Sequence, residues 1–204
     1  MSRKFCVLIV LLLSMASTGS TQEQPVKDEG NIFFEDIPQN RILKWSQYGN
    51  LSTYLENSEG GGGLFFDKNG NPLTVSETDR QLISINLHGK PTILGDKYDY
   101  EHLKAPHDLW IDPKGGIYFI HTGFVKRNNP KSDKKYVYYI SPDRKRLIRV
   151  VDNIVNPDSL VGSPDGKKIF VITANVSESC LFTINEDGTL SNKKIAAREP
   201  CEKC

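Results

Sequence analysis

Ser163-Pro164-Asp165-Gly166-Lys167-Lys168-Ile169-Phe170-Val171-Ile172, followed by Cys180-Leu181-Phe182-Thr183-Ile184 and Glu186-Asp187-Gly188-Thr189-Leu190, forms one unit of this chain. It reads as turn, apolar strand, polar stretch, strand, turn and short strand. Pro, Asp and Gly supply the turn geometry, and runs of Ile, Val and Phe fit a pleated, buried surface. The same order of parts appears three more times upstream. Its turns are Asp28-Glu29-Gly30-Asn31, Asp67-Lys68-Asn69-Gly70 and Asp112-Pro113-Lys114-Gly115-Gly116. They lead into Ile32-Phe33-Phe34, Pro72-Leu73-Thr74-Val75 and Ile117-Tyr118-Phe119-Ile120. Second strands follow at Arg41–Trp45, Gln81–Ile85 and Tyr136–Ile140, with a third short strand as in Tyr48–Tyr54. A unit of this content recurring every 40–50 residues or so (roughly) is the sequence pattern of a β-propeller blade. The expected fold class is all-β, a propeller of about four blades. No stretch of a dozen residues in the body of the chain carries a helical apolar period.

The N-terminus is expected to stand apart from this fold. Ser2-Arg3-Lys4 is basic, Phe5 to Met15 is apolar apart from Ser14, and Ala16-Ser17-Thr18-Gly19-Ser20 is small and cleavable. The apolar run is too short to span ~30 Å of hydrocarbon, so residues 1–20 read as a secretory signal and not as a membrane span. Residues 21–204 form one domain, exported to an extracellular or periplasmic compartment. With 26 basic and 25 acidic residues and no long run of one sign, nothing points to nucleic acid as a partner. Export permits disulfides. The three cysteines beyond the leader are Cys180, in a strand, and the tail pair Cys201 and Cys204. The tail pair lacks the second pair or βαβ pattern that would make it a metal or redox motif. Sequons at Asn50-Leu51-Ser52 and Asn175-Val176-Ser177 fall in turns or loops. Gly60-Gly61-Gly62-Gly63 precedes Leu64-Phe65-Phe66 with no helix start behind it, so it is not read as a phosphate loop.

Four further stretches carry a more specific likeness: Asn40-Arg41-Ile42-Leu43-Lys44-Trp45, Glu77-Thr78-Asp79-Arg80, Ala105-Pro106-His107-Asp108-Leu109-Trp110-Ile111-Asp112-Pro113 and Ser163-Pro164-Asp165-Gly166-Lys167. In this wording, from about Glu23 to Lys194, the chain resembles the senescence marker protein, gluconolactonase and luciferin-regenerating enzyme family. The resemblance implies a six-bladed ring, of which this chain carries about four blades, expected as an open or incomplete arc. It also implies hydrolysis of sugar lactones or related esters with a divalent cation, usually calcium, on the axis. There the cation polarises the carbonyl and lowers the pKa of a bound water. By the family's motifs Glu23, in Glu23-Gln24-Pro25, and Asp158, in Pro157-Asp158-Ser159-Leu160, match metal ligands. Asp158 is also the one candidate for a catalytic role. The third ligand, an Asp one blade later, has no match. Glu77 matches a substrate-contacting carboxylate. His107 and His121 stand where the family has an Asn and an Asp that contact substrate, and Gly62 replaces another Asn. The two histidines together would suit a softer divalent metal; an ordinary rim position is the simpler reading of each.

These substitutions imply lactone hydrolysis that is weak or lost, because calcium wants six to eight oxygens or so (roughly) and this site offers fewer. The alternatives are a non-catalytic binding or scaffold propeller and a truncated copy of an active lactonase. An open arc also presents unpaired strand edges and apolar faces, which implies self-association.

Overall fold

In the computed structural model the described residues are 30–58, 61–76, 79–86, 88–98, 101–103, 106–121, 136–152, 154, 157–173 and 179–197. They form four antiparallel sheets in chain order. Blade 1 comprises β1 (Ile32–Asp36), β2 (Arg41–Trp45) and β3 (Leu51–Glu56), with a 3-10 turn at Ile37–Gln39 after β1. Blade 2 comprises β4 (Gly61–Phe66), β5 (Pro72–Ser76), β6 (Gln81–Ile85) and β7 (Pro91–Gly95). A two-stranded ribbon, β8 (Lys97–Tyr98) with β9 (Glu101–His102), leads to blade 3. Blade 3 comprises β10 (Pro106–Ile111), β11 (Ile117–His121), β12 (Tyr136–Ile140) and β13 (Leu147–Val151). Blade 4 comprises β14 (Pro157–Gly162), β15 (Lys168–Thr173), β16 (Ser179–Ile184) and β17 (Leu190–Ala197). Each strand pairs with its neighbour in sequence, as expected where tight turns join consecutive antiparallel strands. Glu23 lies outside the described residues, as do Glu77, Cys201, Cys204 and the sequon at Asn175.

The turns repeat one geometry. In Asp67–Asn71 the Asp67 carboxylate accepts from the Asn69 and Asn71 amides at 2.8 and 2.9 Å while Gly70 turns back at φ +80°. Ser141–Arg146 turns without glycine: Arg144 takes φ +61°, and its guanidinium donates to Gly115 O at 2.8 Å. That bond offsets part of the ~1–2 kcal/mol that a side chain costs in the left-handed region.

Blades stack through three apolar layers. Phe33, Ile42, Leu64 and Ile85 fill the first, between blades 1 and 2. Leu73, Val75, Leu109 and Phe119 fill the second, between blades 2 and 3, and Tyr118, Ile120, Leu160 and Val171 the third, between blades 3 and 4. Polar ties cross the same seams: Thr74 Oγ1 donates to Glu35 Oε1 at 2.7 Å, and Tyr54 OH to Asn86 O at 2.7 Å. Burial along a strand reports its place in the stack. β5 and β11 are buried at every residue because a blade covers each face. β14 and β15 alternate between buried and exposed. One face of blade 4 therefore packs on blade 3 while the other is left uncovered by any described residue, with Val161 48% and Ile172 38% exposed. The sheets do not close into a ring, so the described fold is an arc of a β-propeller.

Candidate functional site at the mouth of the arc

The inner strands β4, β10 and β14 share one device at their starts. Each departs from regular register within an equivalent triplet ending in leucine: Gly62-Gly63-Leu64, His107-Asp108-Leu109 and Asp158-Ser159-Leu160. A bulge adds a residue, breaks the in-out alternation and re-aims side chains, which is why bulges gather at barrel rims and binding sites. Here His107 and Asp158 keep part-exposed side chains that meet each other, while Leu64, Leu109 and Leu160 stay in the core.

Two sequence-derived candidates meet there. His107 Nε2 lies 3.7 Å from Asp158 Oδ1, across the seam between blades 3 and 4, with side chains 36% and 56% exposed. Behind them is Asp108, 7% exposed. Its Oδ2 accepts from Ser159 Oγ at 2.6 Å and from the Leu160 amide at 2.9 Å, and its Oδ1 accepts from the Leu109 amide at 2.9 Å. Burial pushes its carboxyl above the usual range, and the three donors and nearby His107 partly oppose that shift. Asp108 thus clamps the inner strand of blade 3 to that of blade 4. On its other side a Cβ at Gly63 would stand 2.5 Å from Asp108 Oδ1, so part of the glycine run serves to make room for this carboxylate.

His121 ends β11, directly opposite Pro106 in the ladder and thus beside His107. It is 6% exposed, with its ring 6.1 Å from Tyr136 and 5.8 Å from Tyr138. It belongs to the wall and not to the opening. Ser76 and Thr173 occupy the same register position on blades 2 and 4, opposite Gly61 and Pro157.

Among the described residues no three His, Cys, Asp or Glu side chains gather closely enough to hold a metal. Among the described residues, the donors brought together there are one carboxylate and one imidazole. Calcium is bound by oxygens, about six to eight of them, so this pair does not fit it. What the pair can do is donate and accept hydrogen bonds to a polar molecule entering along the axis. Sequence reasoning missed Asp108 and Gly63; the available signal was a carboxylate directly before the apolar Leu109-Trp110-Ile111 run, where a buried acid must be hydrogen-bonded.

A family model described as the SMP-30/gluconolactonase/LRE-like region matches residues 22–202. A gluconolactonase of Zymomonas mobilis subsp. mobilis is 24% identical over 181 residues, covering 79% of this chain and 51% of that protein. The chain thus spans about half the length of this curated relative. A solved gluconolactonase structure from Xanthomonas campestris superposes with TM-score 0.73 at 24% identity, over 83% of this chain and 59% of that one. A calcium-binding protein from Agrobacterium tumefaciens, regucalcin, gives TM-score 0.62 at 15% identity, over 81% and 55%. At these identities the structural likeness establishes the fold alone.

Proposed function

The chain belongs to the SMP-30/gluconolactonase/LRE-like family, and on that premise we propose that it is an exported lactonase-like propeller in which calcium-assisted hydrolysis of sugar lactones or related esters is weak or lost. The observation that carries this reading is the composition of the opening. Asp158 faces the His107 imidazole at 3.7 Å where the family chemistry calls for converging oxygens. His107 and Asp158 would bind a lactone through its ring oxygen and hydroxyls, with His121 in the wall beside them. No hydrolytic step is assigned to a cation, because the described donors do not suit calcium. The test is hydrolysis of a sugar lactone by the purified chain, with calcium and with a chelator; a rate that calcium leaves unchanged supports the reading.

A second reading, a non-catalytic binding propeller, is favoured by the uncovered face of blade 4. Val161 and Ile172 are exposed there in one sheet, and contiguous apolar surface of this kind favours association. Among the described residues no helix is long and apolar enough to cross a membrane. We expect the leader to be removed near Thr21 and the product to self-associate. Native mass spectrometry of the secreted chain checks both: the mass gives the start, and dimers or higher species growing with concentration give the association. A strictly monomeric product would remove the self-association claim.

A further inference from the structure

We propose that the two end faces of the arc are complementary halves of one blade seam, so that blade 4 of one copy of this chain docks on blade 1 of a second copy. The inference rests on the self-association reading above and specifies which surfaces meet. The inner seams supply the template. β2, β6, β12 and β16 end at Trp45, Ile85, Ile140 and Ile184. In blades 2, 3 and 4 this last residue packs into the layer shared with the preceding blade. Ile85 is 0% exposed in that position, whereas Trp45 in blade 1 is 44% exposed. Phe33 and Ile42 pack toward blade 2, so alternation along the strands sends Ile32 and Trp45 to the opposite face. There Ile32, Trp45 and Leu51 stand opposite one another across the three strands, and all three are exposed.

Blade 4 carries the receiving half. Val75, Ile120 and Ile172 are each the second-last residue of β5, β11 and β15, and Leu73, Tyr118 and Phe170 stand two residues earlier. Leu73 and Val75 fill the layer that receives blade 3, and Tyr118 and Ile120 the layer that receives blade 4. Phe170 and Ile172 hold those positions on the uncovered face, where Val161, Phe170 and Leu181 form a row across three strands. Every inner seam joins a face of this second kind to a face of the first kind, and none joins two faces of one kind. The matching partner for the end of blade 4 is therefore the end of blade 1. Burying an indole on aliphatic surface is favourable in itself. The contact is heterologous, so each copy keeps one free end, and the assembly either closes as a ring or continues as a chain.

The experiment uses the purified full chain in reductant, so that the tail thiols cannot cross-link copies, with association read by analytical ultracentrifugation over a concentration series. Trp45→Asp disables the blade 1 face and Ile172→Asp the blade 4 face. Leu51→Asp and Val161→Asp repeat each test at a second position, and a cooperative thermal melt confirms that each variant is folded. The unsubstituted chain is expected to form dimers or larger species as concentration rises. Each variant alone is expected to self-associate at least about tenfold more weakly. An equimolar mixture of Trp45→Asp and Ile172→Asp is expected to recover association but to stop at the dimer, because each variant brings one intact face. Failure of the mixture to associate overturns the proposal. So does association that the blade 1 substitutions leave intact and the blade 4 substitutions abolish, since blade 4 would then pair with its own copy; that result leaves self-association itself standing. A chain that stays monomeric at every concentration overturns both.

Discussion

Asp108→Ala is expected to lower the melting temperature by about 6–12 °C, the equivalent of about 3 kcal/mol in a domain of this size. The carboxylate accepts from the Leu109 and Leu160 amides and from Ser159 Oγ, and all three bonds disappear with it. Each buried backbone N–H left without an acceptor costs ~1–3 kcal/mol. Relief of the carboxylate's own burial returns part of that, which is why the expected loss is below the sum. Asp108→Asn keeps one oxygen and should lose less. The pH dependence follows from the raised pKa. A carboxyl whose folded pKa lies above its unfolded value of about 3.9 favours the folded state below that value, and this contribution fades as pH rises through the folded pKa. Relative to Asp108→Asn, the wild-type chain should therefore lose stability as pH rises from about 4 through that window. Calorimetric melts of the two proteins across that range provide the check, and a difference that does not move with pH would contradict the assignment.

Gly188→Ala should cost about 3 kcal/mol by a different route. Gly188 sits at φ +84° in the turn before β17, and an added Cβ would fall on the Tyr139 ring. Left-handed backbone costs a side chain ~1–2 kcal/mol, and forcing a methyl into filled space ~1–3 kcal/mol. Tyr139 has little room to retreat. Its hydroxyl reaches toward Asp112 Oδ2 at 3.5 Å, and its ring is also packed against Gly116. Burial and the Asp112 charge push that phenol up to about 12, so it stays neutral at ordinary pH. The Gly188 carbonyl accepts from Tyr118 OH at 2.9 Å, so displacing the turn strains a bond between blade 3 and blade 4. Gly115 is the control. It has φ +91° but nothing within 4 Å of an added Cβ, so Gly115→Ala should carry only the backbone part. Equal losses at the two positions, read from thermal or denaturant melts, would show that the Tyr139 contact is unimportant.

The middle strands of the blades were legible because their chemistry is local. Arg41–Trp45, Gln81–Ile85 and Tyr136–Ile140 are strands at their sequence-derived bounds, since β-branched and aromatic runs between Gly- and Asp-bearing turns leave little else to form. The inner strands were harder to read. Gly61–Phe66, Pro106–Ile111 and Pro157–Gly162 open with Gly, Pro, His and Asp, and a bulge breaks the alternation of each. They look like loops that carry motifs until the ladder shows their register. The pairing of His107 with Asp158 was not legible at all, since it depends on how two blades face one another. Nor was the Asp108 clamp, whose partners Ser159 and Leu160 lie 51 and 52 residues further along the chain. The uncovered face of blade 4 was not legible either, because Ile169-Phe170-Val171-Ile172 in β15 is as solidly apolar as β11 and only its burial alternates.

Among the described residues, this family propeller brings His107 and Asp158 together across blades 3 and 4, and the proposal built on that pair is that calcium-assisted lactone hydrolysis is weak or lost. Sugar-lactone hydrolysis by the purified mature chain, measured with calcium and again with a chelator, tests it most directly. The account predicts the same low rate in both. A rate that rises strongly with calcium, and that Asp158→Asn abolishes, would contradict it.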